Sequence, residues 1–328
     1  MFKKFFKTSM GLSQFFQLWF NVMLTRIMGI SFLRAYLYFL GICFFSFRQK
    51  ERKNIAVGIS HVFQDRLWGP FLYWMHLKAT CGVFEHYLEK LVLAHKPLSW
   101  TKGLLARRLK IQNVTHLERI ALSGKGGILV TGHFGAVEYL PLALAMNGYK
   151  IAMICRFKTS RLKEALAQKA EEQDIMVIDA NEPNVAFRAL KAIKNGRILV
   201  TECDEFSAWR PDSSESVSVF GHSVPLDKTL DFFHRRAAVP VIMGLMRRDG
   251  DGFTLCIEPI ADGEEKIQVG RVAWRTLEGY ILRHPEQWYQ WKDAVEDLEP
   301  YIDWRKINEN HGSVPIPVGH PVPAPSFS

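Results

Sequence analysis

Five cysteines, at positions 43, 81, 155, 203 and 256, form no C-x-x-C pair and no Cys/His cluster. This excludes a zinc-finger type of metal site, and an odd, scattered set argues against a disulfide framework, so the folded part is expected in a reducing compartment. A G-x-S-x-G nucleophile elbow and an H-E-x-x-H helix are also missing. Gly124-Lys-Gly-Gly127 comes nearest to a phosphate loop, but it lacks the Gly-Lys-Ser/Thr ending and precedes a strand rather than following it, so it predicts a turn. There is no internal repeat. Acidic residues are scarce at the start: residues 1 to 60 hold nine Lys/Arg and one acidic residue, so +8 of the net charge of +9 sits there.

That basic segment also carries 11 of the 23 phenylalanines. Aromatic bulk beside Lys3, Lys4, Lys7, Arg48, Lys50, Arg52 and Lys53 suits an anionic lipid surface. Nucleic acid is excluded as the partner because the charges flank apolar runs and make no continuous basic groove. Ile27 to Phe47 is 21 residues long with one charge, Arg34. As a helix it would reach about 30 Å, enough for a bilayer core. Both flanks are basic, so spanning and in-plane insertion stay open. A cleaved signal peptide is not expected, since Gln14 and Gln17 interrupt the apolar run and no small-x-small site follows.

Residues 54 to 120 have mainly helical periodicity, including Trp68 to Leu93. From residue 127, short apolar runs (128–131, 151–155, 176–178, 198–201, 239–245, 253–257) alternate with helical segments, notably 160–173 and 184–195. Such alternation predicts an α/β fold with a mixed, largely parallel sheet flanked by helices. The expected organisation is a basic, aromatic membrane-anchoring segment (1–53), a helical region packed on the core (54–120), an α/β catalytic core (121–305) and a Pro-rich disordered tail (306–328).

The most informative run is Gly127-Ile-Leu-Val-Thr-Gly-His133-Phe-Gly-Ala-Val-Glu138, which sets an imidazole and a carboxylate at the mouth of a buried strand. A neutral imidazole can take the proton of a hydroxyl as that hydroxyl attacks an activated acyl group, and a carboxylate can fix its tautomer. Five residues apart on one helix, the two would point about 140° away from each other, so they meet only if His133 precedes the helix. Arg156 and Asp204 likewise follow apolar strands directly, and open α/β sheets bind ligands beyond those strand ends. Arg156 suits a phosphate through two parallel hydrogen bonds; Asp204 suits an acceptor group or Arg156 itself. Lys158, Arg161, Arg210, Arg235 and Arg236 are further cations within reach of the same chemistry. A zinc site of His133, Glu138 and Asp204 lacks any supporting ligand pattern, so no metal is expected.

Thr131-Gly-His133-Phe-Gly-Ala-Val-Glu138 resembles the H-x4-E block of the late acyltransferases of lipid A biosynthesis. Further blocks follow in that family's order: Ile151-Ala-Met-Ile-Cys-Arg156, Gly196-Arg-Ile-Leu-Val-Thr-Glu-Cys-Asp204, Val217-Ser-Val-Phe-Gly221, and Leu277-Glu-Gly-Tyr-Ile-Leu-Arg-His-Pro-Glu-Gln-Trp288. Members often read H-F-G-N-W-E, where this chain has Ala136 and Val137, and many have Asp-Gln where it has Asp204-Glu205. The resemblance implies a glycerolipid acyltransferase-like fold at the inner membrane, its catalytic core facing the cytosol, with no cofactor. It implies transfer of an acyl chain from acyl carrier protein or coenzyme A to a hydroxyl of a lipid A-like acceptor. His133 would be the general base, Glu138 its orienter, and Arg156 and Asp204 substrate contacts. Another acceptor (a glycolipid, lysophospholipid or amino-acid lipid) and a non-catalytic lipid-binding protein are the alternatives.

Overall fold

A computed structural model describes residues 12–47, 49–65, 67–157 and 159–304. The predicted tail at 306–328 and the first lysines lie outside them. The described residues open with six helices: α1 (Leu12–Phe16), α2 (Trp19–Ile27), α3 (Ile30–Phe47), α4 (Gln49–Phe63), α5 (Gly69–His95) and α6 (Leu98–Arg108). Pro70 sits in the first turn of α5, where its missing N–H costs nothing. Among the described residues no single helix is long and apolar enough to cross a membrane; α3 and α4 meet at 96°. Nor are α1 to α3 merely appended, since Phe16, Leu33, Leu37, Phe44 and Phe45 are buried in the same core as the α5 residues Val83, Phe84 and Leu88.

The sheet then forms from β1 (Leu109–Gln112), β2 (Gly127–Thr131), β3 (Ile151–Cys155), β4 (Met176–Asp179), β5 (Ile198–Glu202), β8 (Val241–Asp249) and β9 (Gly252–Ala261). Its order is β1-β9-β8-β2-β5-β3-β4. Strands β8, β2, β5, β3 and β4 run parallel, while β9 turns back antiparallel to β8 and carries β1 beside it. The expected mixed, largely parallel α/β sheet is what the chain forms. Every residue of β2 and the first four of β5 are buried, as central strands covered on both faces must be. Helix α7 (Thr115–Ser123) leads from β1 into β2, and α8 (Leu140–Met146), α9 (Ser160–Glu171) and α10 (Val185–Lys194) connect the parallel strands β2, β3, β4 and β5. Gly124 ends α7 in the left-handed region and Gly126 follows with φ 79°, so Gly124–Gly127 is the predicted turn.

The sequence reading did not foresee two pieces, the short edge strand β1 and the hairpin of β6 (Pro211–Val219) with β7 (His222–Asp227). Phe220 and Gly221, both at positive φ, make the hairpin turn. The Phe220 ring stacks on Trp291 at 5.4 Å and meets Trp274 and Trp288 edge-on. The chain closes with α11 (Thr229–Ala237), α12 (Val269–Arg283) and α13 (Trp291–Asp297).

Candidate active site

Because β2 and β5 are neighbours, with Thr131 opposite Glu202, the residues that follow each strand leave the sheet at one edge. Strand β3 pairs with the other side of β5 and brings Arg156 to that edge. His133 therefore meets the end of β5 directly. Its backbone N–H donates to Asp204 Oδ2 at 2.9 Å, and its Nδ1 lies 3.0 Å from Asp204 Oδ1. Trp288 Nε1 donates to the same carboxylate at 2.8 Å, and the Gln290 amide lies 3.1 Å from His133 Nδ1. Tyr289 N–H donates to the His133 carbonyl. The P-E-Q-W stretch is thus the strap that fixes both the imidazole and its carboxylate.

Asp204 is fully buried and saturated by these donors, so it faces His133 and not a substrate. The carboxylate in hydrogen-bond contact with the imidazole is accordingly Asp204, and not Glu138 as the spacing suggested. Gly135, at φ 59°, explains the difference: the chain turns sharply after Phe134, and residues 137–139 form a 3-10 turn that aims Glu138 at α5. A Cβ at Gly135 would come within 1.9 Å of the Met246 carbonyl, so the close approach to β8 requires glycine. There Glu138 Oε1 pairs with Lys90 Nζ at 2.8 Å and lies 3.3 Å from His86 Nε2.

His133 is 14% exposed, and its Nε2 faces two further carboxylates, Glu202 at 3.4 Å and Glu205 at 3.7 Å. Burial alone would push its pKa down; Glu202, Asp204 and Glu205 together override this and raise it to about 10. Burial raises Glu202 to about 7, against the pull of His133. His133 and Glu202 titrate as a coupled pair, in which the second proton arrives near neutrality. Cys155, at the end of β3, is no nucleophile: burial, then Glu202, Asp179 and Glu138, push its thiol up to about 12.

Arg156 lines the same cavity, is 44% exposed, and has a loose partner in Glu205 at 3.9 Å. Arg210 also lines it, whereas Arg235 and Arg236 are exposed on α11 outside its wall; Lys158 and the side chain of Arg161 lie outside the described residues. The cavity measures about 860 Å³ and runs from His133 between walls that include Leu140, Leu142, Met153, Leu162, Ile175 and Val177. That is the size of a site for an extended small molecule. His133, Glu202 and Glu205 offer ligand atoms within 4.8 Å of one another, a set able to hold a divalent cation, though only through the Nε2 that a base needs.

Sequence reasoning missed Lys90, Glu202 and Glu205. The run Thr201-Glu-Cys-Asp-Glu205 carried the signal for the last two, since it gathers three acids at the end of one buried strand. Lys90 lies in a different element from the motif it serves, and nothing in the sequence joins them. No curated protein matches the chain significantly. The family model for bacterial lipid A biosynthesis acyltransferases matches residues 3–292, nearly all of the fold and the entire site. The chain belongs to that family, and is an acyltransferase.

Proposed function

We propose that the chain transfers a fatty acyl group from a thioester on acyl carrier protein or coenzyme A to a hydroxyl of a lipid A-like acceptor, with His133 and its carboxylates as the base. One observation carries this reading: Nδ1 of His133 is pinned by Asp204 while the imidazole lines a cavity of about 860 Å³ whose walls are part polar and part apolar. The acceptor oxygen attacks the carbonyl carbon and its proton passes to the His133 cluster as the C–O bond forms. Collapse of the tetrahedral intermediate breaks the C–S bond, and the cluster returns the proton to the departing sulfur. The thioester is already activated, so no acyl-enzyme is needed. Asp204 is a positioning residue; Arg156 meets a phosphate of donor or acceptor.

The membrane supplies the acceptor. Trp19, Phe20, Ile27, Phe32, Phe39 and Ile42 on α2 and α3 are exposed, and so are Trp68, Phe71, Tyr73, Trp74 and Leu77 at the start of α5. Aromatic and aliphatic side chains in that number suit partial burial among lipid headgroups. The protein then sits in the inner-membrane surface with its α/β core in the cytosol. Full-length protein, a radiolabelled acyl thioester and a lipid A precursor provide the test. Labelled acyl ester should appear on the precursor; donor that stays intact while lipid is retained would show a binding protein instead.

A further inference from the structure

Acyl transfer, on the reading above, puts negative charge on the donor carbonyl oxygen, and some group must receive it. The four backbone N–H groups of residues 133 to 136 are already taken. The N–H of His133 is spent on Asp204, that of Phe134 on the Gly132 carbonyl, that of Gly135 on the Gln287 carbonyl and that of Ala136 on the Met246 carbonyl. Side-chain cations remain. Arg156 is nearly half exposed and loosely held at the outer rim. Lys90 is different: it is 24% exposed, reaches the cavity wall from α5, and is fixed at 2.8 Å by a carboxylate that is itself only 15% exposed. His86, one helical turn earlier, is buried without a hydrogen bond, stacks at 3.9 Å on Tyr289, and has its ring 6.4 Å from that of His133. Burial, then Lys90 and His133, hold its pKa well below the usual histidine value, so it stays neutral. That leaves Lys90 as the charged partner of Glu138 among the described residues.

We infer that Lys90 is the electrophile of the reaction, its ammonium taking the developing charge of the thioester carbonyl, and that Glu138 is the positioning residue that holds Lys90 there. The glutamate of the H-x4-E run then acts across the cavity from the histidine rather than through it. As the acceptor oxygen bonds to carbon, the carbonyl π pair moves onto oxygen beside Nζ, and it returns when the C–S bond breaks. No proton need leave Lys90.

Full-length Lys90→Met, Lys90→Arg, Glu138→Gln and Arg156→Glu, each checked for an unchanged melting temperature, are compared with wild type in two reactions: transfer to the lipid acceptor, and slow hydrolysis of the same thioester without acceptor. Lys90→Met should lose about 10²- to 10³-fold in kcat with KM values nearly unchanged. The hydrolysis rate should fall by the same factor, since an electrophile on the donor serves water and lipid alike. Lys90→Arg should recover part of both rates and Glu138→Gln should lower both. Arg156→Glu should act on KM. A Lys90→Met variant that keeps its kcat, loses only KM, or still hydrolyses donor at the wild-type rate would overturn the assignment. Wild-type protein that leaves the thioester intact in both reactions would instead remove the acyl-transfer reading, and this inference with it.

Discussion

The two halves of α5 share one backbone and opposite fates. Its first turns expose Phe71, Tyr73, Trp74 and Leu77, while from Ala79 onward it buries Val83, Phe84, Tyr87, Leu88 and Leu91. The buried half is also where the chemistry is: His86 and Lys90 reach Glu138, and Glu89 makes a two-pronged ion pair with Arg248, whose guanidinium donates to the Gly135 carbonyl. In sequence both halves of the helix are rich in apolar and aromatic residues, so that pattern does not tell the half that meets protein from the half that does not. What separates them is the strap: Gly82 passes so close to residue 286 that a Cβ there would come within 1.9 Å of the Glu286 carbonyl. One rigid helix thus joins an exposed aromatic surface to a sealed polar site.

The contrast is broken most severely within the sealed half. Replacing His133 by Ala should reduce kcat by at least about 10²-fold, the scale of a lost general base. Asp204→Asn should cost a similar factor by leaving Nδ1 without its acceptor. Both proteins should melt near wild type in a thermal scan; a folded, fully active His133→Ala protein would end the base assignment. Gly82→Ala should also act at a distance, lowering melting temperature and activity together, because its methyl group must push α5 off the segment that carries Trp288 and Gln290. A variant that melts early yet turns over normally would show that α5 and the strap are not coupled.

The exposed half should answer differently. Trp68→Ser, Phe71→Ser and Trp74→Ser combined should leave thioester hydrolysis in detergent unchanged and weaken binding to anionic vesicles by roughly tenfold or more, in line with the apolar area removed. Deleting residues 1 to 47 is a poorer test, because it would also strip Leu33, Leu37, Phe44 and Phe45 from the core. If vesicle binding is unchanged in the triple variant, the start of α5 is not at the membrane.

The strands that position the site were legible for a simple reason. β2, β3 and β5 are short apolar runs, and the residues just beyond them reach the edge, so His133, Arg156 and Asp204 could be picked out by strand-end position together with the family resemblance. Which of them touch depends on strand order, and no periodicity reports that β5 inserts between β2 and β3. This is why Asp204 was expected to face a substrate and proves to hold His133. The hairpin escaped notice because its polar stretch Asp212-Ser-Ser-Glu-Ser216 hides the alternation, and β1 because four half-exposed residues carry almost no pattern. The Glu138–Lys90 pair is tertiary in origin, made where a strand-end turn meets a helix that precedes the sheet in the chain.

The finest division lies inside the site, between the fully buried carboxylate behind the imidazole and the partly buried ones in front. Glu202 is raised to about 7 chiefly by burial, and His133 to about 10 because Glu202, Asp204 and Glu205 outweigh burial. The His133–Glu202 pair therefore carries two protons below about pH 7 and one between about 7 and 10. Only the one-proton form can accept another from the acceptor hydroxyl, so kcat should rise with pH through an apparent pKa near 7 and level off above it. Glu202→Gln removes the group that titrates there and also the largest influence raising His133. The imidazole then becomes the sole base, with Asp204 and Glu205 alone opposing burial, and its pKa falls below its present value of about 10. The rising limb should consequently move to higher pH: the variant is slower than wild type near pH 7 and closes the gap as the medium becomes alkaline. Asp204 needs no such exposure to act, and its removal should depress the rate at every pH. A Glu202→Gln profile that keeps its limb at neutrality, or shifts it toward acid, would show that His133 works without the carboxylate in front of it.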